Sequence, residues 1–164
     1  MECAVQVTIL QDNTATRADV VPEHGLAMLV EMAGRRVLFD TGPDETLIAN
    51  AAALGTRLYP LDAIVLSHGH FDHTGGLWHI LHRFMETTIE ETRCRLPKLV
   101  AHPRCFLPRP RQPIADNGSI LSADAIQRAL PLELSAKPLE LAPDLFFLGE
   151  QALAEQDDVG LDQR

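Results

Sequence analysis

Val5, Val7 and Ile9 alternate with polar residues near the start of the chain, the period-two pattern of a half-buried strand. Two apolar runs, Leu26–Glu31 and Arg36–Phe39, flank Ala33-Gly34-Arg35 and predict a hairpin. The dense turn signal Asp40-Thr41-Gly42-Pro43-Asp44 comes next, and the pattern then predicts a helix over 45–54, closed by Gly55. Leu61–Leu66 is an apolar run of buried-strand type, broken only by Asp62. Leu77, Ile80, Leu81 and Phe84 recur at helical spacing and predict a second helix. Lys98–Ala101 predicts a short strand, Ser122 caps a helix expected over 123–130, and strands are expected at 132–134, 139–141 and 145–148. Residues 151–164 are polar and acidic without a strong period and are expected to fray.

Composition narrows this picture. A chain of 164 residues is the size of one domain at roughly 150 residues per domain, enough to bury a substantial core. Aromatic residues are only 5%, so that core must be mostly Leu, Ala, Val and Ile. Three cysteines, Cys3, Cys94 and Cys105, are odd in number and lack CxxC spacing, which excludes a disulfide framework or a zinc ribbon. Met1-Glu2 starts no basic and apolar leader, and no apolar run reaches the roughly 20 residues of a membrane span, so a cytoplasmic chain with no membrane partner is expected. The net charge of −9 disfavours nucleic acid, whose binding depends on clustered cations. Charge is nevertheless uneven: residues 83–113 hold 7 basic and 3 acidic side chains. The alternating Arg and Pro of residues 104–111 read as a solvated loop, with a cationic rim for an anionic substrate as the alternative.

The chemistry concentrates in Ser67-His68-Gly69-His70-Phe71-Asp72-His73-Thr74-Gly75-Gly76, placed between an apolar strand and a helix. Neutral imidazole and carboxylate are ligands for zinc and similar divalent ions. A tight turn can send His68 and His70 to one point and Asp72 and His73 to a neighbouring one, an arrangement that suits two metals. Gly69, Gly75 and Gly76 relieve the steric limits on so tight a loop.

This segment matches His-x-His-x-Asp-His, and by it the chain resembles the metallo-β-lactamase superfamily. Phe39-Asp40-Thr41-Gly42 is similar to that family's turn behind the metal loop. Glu23-His24-Gly25-Leu26, Ala101-His102-Pro103 and Leu148-Gly149-Glu150 resemble the branch named for dihydropterin-methyl-ribofuranosylaminobenzene-phosphate synthases. The resemblance implies an α/β fold, the αββα sandwich, and a metal-bound hydroxide as nucleophile. It makes His68 and His70 ligands of a first Zn²⁺, and Asp72 and His73 ligands of a second, with Mn²⁺ or Fe²⁺ as other divalent choices. Asp72 also becomes the catalytic residue that orients water. Asp40 would hold the metal loop by hydrogen bonds, with a turn-forming Asx role as its alternative. His24 and His102 are candidate substrate contacts. His79 and His82 are left out of the site, and Cys105 reads as an ordinary buried thiol.

The resemblance covers about residues 3–150, and no histidine follows His102. In the superfamily a second β/α half supplies a further histidine to each metal and a bridging carboxylate. The chain is therefore expected to hold mainly the first half of the sandwich, as a domain over 1–150 with the tail 151–164. Two ligands per metal are fewer than the three of usual catalytic sites, and a half sandwich exposes a sheet face that a homo-oligomer would cover. Two functions follow. One is a metal-dependent hydrolase of a small anionic ester or phosphoester-like substrate. The alternative is a truncated, inactive or weakly metal-binding remnant that associates through its exposed sheet. A nuclease is disfavoured by charge and would need Arg104, Arg109 and Arg111 to bind oligonucleotides.

Overall fold

The computed structural model describes residues 4–90, 95–110, 113 and 115–150. Cys3, Cys94, Arg111 and the 151–164 tail lie outside the described residues. Six strands form one mixed sheet in sequence order: β1 (Val5–Gln11), β2 (Ala27–Met32), β3 (Arg35–Phe39), β4 (Ala63–Val65), β5 (Lys98–Ala101) and β6 (Leu132–Leu134). The first three pair antiparallel and the rest add in parallel. Parallel neighbours need crossovers, and these carry α1 (Thr46–Ala53), α2 (Phe71–Thr74), α3 (Leu77–Glu90) and α4 (Ala123–Gln127). A last hairpin, β7 (Leu139–Ala142) with β8 (Leu145–Phe147), stands as a separate two-stranded sheet.

The alternation of side chains along each strand divides the sheet into two faces. Leu10, Leu29, Leu38, Ile64 and Leu99 point to the helix side, where they pack with Leu47 of α1, with Leu77, Ile80 and Phe84 of α3, and with Ile126. Val37, Ala63, Val65 and Val100 point the other way and bury Phe147 of the hairpin. This second face is thus less bare than a half sandwich suggests, because β7–β8 folds over β3–β5. Its bare part lies at the β1 edge. Val7 stands directly opposite Val30, which borders the second cluster, yet Val5, Val7 and Ile9 remain 54%, 52% and 54% exposed.

Three elements differ from the sequence pattern. The β2–β3 turn has two residues rather than three, because Ala33 and Gly34 both take positive φ (51° and 73°), and Arg35 joins the strand opposite Met32. The run 61–66 contributes only Ala63–Val65 to the sheet. Its Asp62 instead accepts from the Arg36 N–H and the Arg35 guanidinium at the mouth of the strand. Helix α4 is shorter than its apolar pattern and ends at Gln127, although Leu130 is still buried beside it. Within the Arg-Pro segment, Pro103–Phe106 winds one 3₁₀ turn; a proline at its first position needs no N–H partner there.

Candidate functional site

The chemistry-bearing residues gather just past the carboxyl ends of three parallel strands, where open α/β sheets leave a crevice for ligands. Asp40 follows β3, Ser67 to His73 follow β4, and His102 follows β5. The β3–β4 pairing sets Phe39 against Val65, and this brings Asp40 to a loop that lies 27 residues later in the chain.

Asp40 is fully buried, with φ of 56°, a left-handed conformation that a short polar side chain tolerates. Its carboxylate accepts three hydrogen bonds: from the Ser67 N–H (2.7 Å), the Ser67 hydroxyl (2.6 Å) and His73 Nδ1 (2.8 Å). Bonding at Nδ1 puts the lone pair of neutral His73 on Nε2, which lies 3.6 Å from Asp72 Oδ2. The Ser67 hydroxyl directs its hydrogen at Asp40, so its oxygen accepts from His68 Nδ1 at 2.9 Å. That bond leaves the His68 lone pair on Nε2, 3.0 Å from His70 Nδ1. One buried carboxylate therefore sets the tautomer of two histidines, one directly and one through a serine.

His24 approaches from the β1–β2 connection, with Nε2 3.2 Å from Asp72 Oδ2. Gly25 makes this approach possible. It has φ of 132°, and a Cβ there would sit 2.1 Å from the Asp72 carbonyl oxygen. The rings of His68 and His73 lie tilted at 55° with centroids 4.2 Å apart. Burial, followed by the neighbouring His73 and His70, pushes His68 below the usual 6.5, whereas the Asp40 hydrogen bond holds His73 above it against the effect of burial. The raised His73 value means that the charged ring stabilises the fold fully below about pH 6.5, and this contribution disappears as pH rises through the raised value. The lowered His68 value works in the opposite sense: its contribution is present above 6.5 and fades as pH falls through the depressed value. Imidazole proton resonances recorded against pH on the metal-free chain are expected to show His73 titrating above His68; the reverse order would refute the Asp40 pairing.

The donors converge as pairs. Two nitrogens on one tetrahedral zinc, each about 2.0–2.1 Å away, stand about 3.3 Å apart, close to the spacing of His68 with His70 and of Asp72 with His73. Among the described residues, no group of three or more His, Cys, Asp or Glu side chains is arranged to hold a metal ion. The residues present fit a divalent cation by donor type and pair spacing, and each pair is one ligand short of the usual three.

The metallo-beta-lactamase superfamily model matches residues 20–150. The chain belongs to the metallo-beta-lactamase superfamily. It is 30% identical over 157 residues to a 7,8-dihydropterin-6-methyl-4-(beta-D-ribofuranosyl)-aminobenzene-5'-phosphate synthase of Methanocaldococcus jannaschii, covering 87% of this chain and 49% of that one. An uncharacterized protein of the same organism is 30% identical over 147 residues, covering 87% and 52%. Among solved structures, a metal-dependent hydrolase of the beta-lactamase superfamily superposes with a TM-score of 0.66 at 23% identity, over 89% of this chain and 48% of the other. A diphosphatase of the PhnP family gives 0.51 at 18%, over 83% and 52%. The chain thus spans about half the length of the curated relatives it matches.

Within this superfamily fold, the structure unites His68, His70, Asp72, His73 and Asp40, and it adds His24 through Asp72. His102 stands apart from these residues and borders an open cleft of about 500 Å³ that also reaches Ser67 and His68. His79 pairs with Glu45 at 3.0 Å, and His82 is 56% exposed; neither touches the metal loop. Cys105 is buried, and burial pushes its thiol up to about 12, so it stays protonated and unreactive near neutrality. Sequence reasoning gave Ser67 no role, although it stands just before the first histidine. Arg109, in the same cleft as His102, belongs to the Arg-Pro segment for which a cationic rim is the alternative to a solvated loop. No described helix is long and apolar enough to cross a membrane.

Proposed function

We propose that the chain is the ligand-bearing portion of a metal-dependent hydrolase acting on a small anionic ester or phosphoester-like substrate. The observation that carries this reading is the Asp40 hub, which leaves the Nε2 lone pairs of His68 and His73 turned toward His70 and Asp72. His68 with His70 would hold one Zn²⁺, and Asp72 with His73 a second, with Mn²⁺ or Fe²⁺ as other divalent choices. When bound, the metal supplies Lewis acidity and lowers the pKa of water. The protein's part is positional: Asp40 and Ser67 fix ring orientation, and Asp72, with His24 Nε2 3.2 Å from its Oδ2, is oriented to receive a proton from water. The M. jannaschii relative is named a synthase rather than a hydrolase, so the reaction direction is part of the proposal; its name also describes a 5'-phosphate compound, in keeping with an anionic substrate.

Elemental analysis of the chain purified in zinc is expected to find one or two ions per chain, lost in H68A/H70A and reduced in H73A. A broad esterase and phosphodiesterase screen then reads activity. A chain that retains no metal sinks the reading. A second reading, a weakly metal-binding remnant that self-associates, is favoured by donor pairs rather than triplets and by the exposed Val5, Val7 and Ile9. It expects oligomers by light scattering together with loss of zinc on dialysis, whereas a monomer with firmly held zinc and turnover refutes it.

A further inference from the structure

The cleft beside His68 contains two buried hydrogen-bond donors that have nothing to bond. His102 Nδ1 accepts from the Arg104 N–H at 3.1 Å, capping the 3₁₀ turn, and this fixes the neutral ring with its proton on Nε2. That Nε2 is buried and without a hydrogen-bond partner. Glu150 is the nearest acid, but it lies 3.9 Å away, too far for a hydrogen bond, and its side chain is mostly exposed. Arg109 Nε is likewise buried and unpartnered. Both residues line the same cleft, together with Ser67, His68 and Arg104.

Such donors are costly to leave unsatisfied, since a buried polar group without a partner forfeits its hydration. Nor are they loose surface groups. The Arg109 backbone is pinned on both sides: its N–H donates to Asp116 Oδ1 at 2.8 Å, and its carbonyl accepts from Asn117 N–H at 3.1 Å. The same loop bonds back to the metal loop through Phe71 N–H to Asn117 O at 2.9 Å. A backbone pinned on both sides therefore brings the Arg109 side chain to the cleft that His102 also lines, with Arg104 as a second arginine there. Fixed N–H donors plus permanent positive charge are what an oxyanion requires.

The geometry points to an oxyanion subsite in this cleft, in which His102 Nε2–H and Arg109 Nε–H grip a phosphoryl or carboxylate group of the substrate and place its neighbouring bond beside His68. This rests on the hydrolase reading for the adjoining metal loop, and it assigns the anionic end of the substrate to residues that are not metal ligands.

The test uses the full chain and two probes, inorganic phosphate and acetate, followed by calorimetry and by phosphorus NMR for the phosphate arm. Saturable binding is expected for at least one probe; preference for phosphate identifies a phosphoryl group and preference for acetate a carboxylate. His102→Asn keeps an acceptor for the Arg104 cap while deleting the Nε2–H, and Arg109→Gln removes the charge. Each is expected to weaken binding at least about tenfold, the loss of one charge-assisted hydrogen bond. Arg128→Gln, on an exposed position of α4's end, is expected to change nothing. Metal content, measured in the same samples, is expected to be unaltered in all three variants. Circular dichroism verifies folding, and Arg109→Lys, which retains charge but not the guanidinium edge, provides an intermediate value. Absence of binding by both probes overturns the subsite, as does binding that H102N and R109Q leave unchanged, the result expected if the anion sat on the metal. A chain without zinc that still binds phosphate through Arg109 would instead defeat the hydrolase reading and keep the subsite.

Discussion

Replacing Asp40 with alanine is expected to destabilise the fold by about 3–5 kcal/mol, from stranded donors and the loss of a side chain suited to positive φ. The carboxylate accepts from Ser67 N–H, the Ser67 hydroxyl and His73 Nδ1, all within 2.8 Å, from a position with no solvent exposure. Alanine leaves the Ser67 amide and the His73 ring without an acceptor and cannot replace them with water in a closed core. Asparagine separates stability from chemistry. It tolerates the φ of 56° and still offers one oxygen, but it can satisfy the Ser67 amide and His73 together only by turning its NH₂ toward one of them. With NH₂ toward His73, the ring must take the Nε2–H tautomer and loses the lone pair that faces Asp72. D40N is therefore expected to lose less than half the stability lost by D40A, yet to lose metal nearly as completely. Urea denaturation and elemental analysis read the two effects separately. Wild-type zinc content in D40N would show that the buried carboxylate does not set the histidine tautomers.

A single methyl group at position 69 is expected to cost about 3 kcal/mol and to displace the metal loop. Gly69 lies against the 3₁₀ turn so closely that a Cβ would stand 1.7 Å from the Cys105 carbonyl oxygen and 3.1 Å from Arg109 Nε. The nearer atom is backbone, in a turn capped by His102 and closed by the Cys105 N–H to His102 O bond of 2.9 Å, so it cannot yield cheaply. G69A must instead push His68 away from the cleft. G34A is the informative comparison. Gly34 has φ of 73° with nothing within 4 Å of its Cβ position, so alanine there meets only left-handed strain, about 1 kcal/mol. Denaturation midpoints for the two variants then distinguish a packing contact from a backbone preference. Equal losses at both positions would mean that the loop and the 3₁₀ turn are not in the contact described.

The metal loop was legible because its four candidate ligands occur within six residues; local spacing alone puts them together, whatever the rest of the chain does. The strands were legible for a similar reason, since alternation and apolar runs reflect burial directly. Errors arose where burial and element boundary part company. Leu130 is buried but lies past the end of α4, and Asp62 interrupts an apolar run to serve as an acceptor just before the central strand β4.

By itself, then, the sequence determined the superfamily, the α/β elements and the candidacy of His68, His70, Asp72 and His73 as metal ligands, all properties carried by neighbours along the chain. Tertiary structure decided the rest. Parallel pairing of β3 with β4 brought Asp40 under Ser67 and His73, and with it the tautomers on which the proposed metal binding depends. The turn after β5 placed His102 and Arg109 in one cleft, and the β7–β8 hairpin covered a sheet face that seemed destined to be bare. These features depend on which strands lie side by side, and a hydrogen-bonded pairing between distant segments leaves no periodicity in either of them.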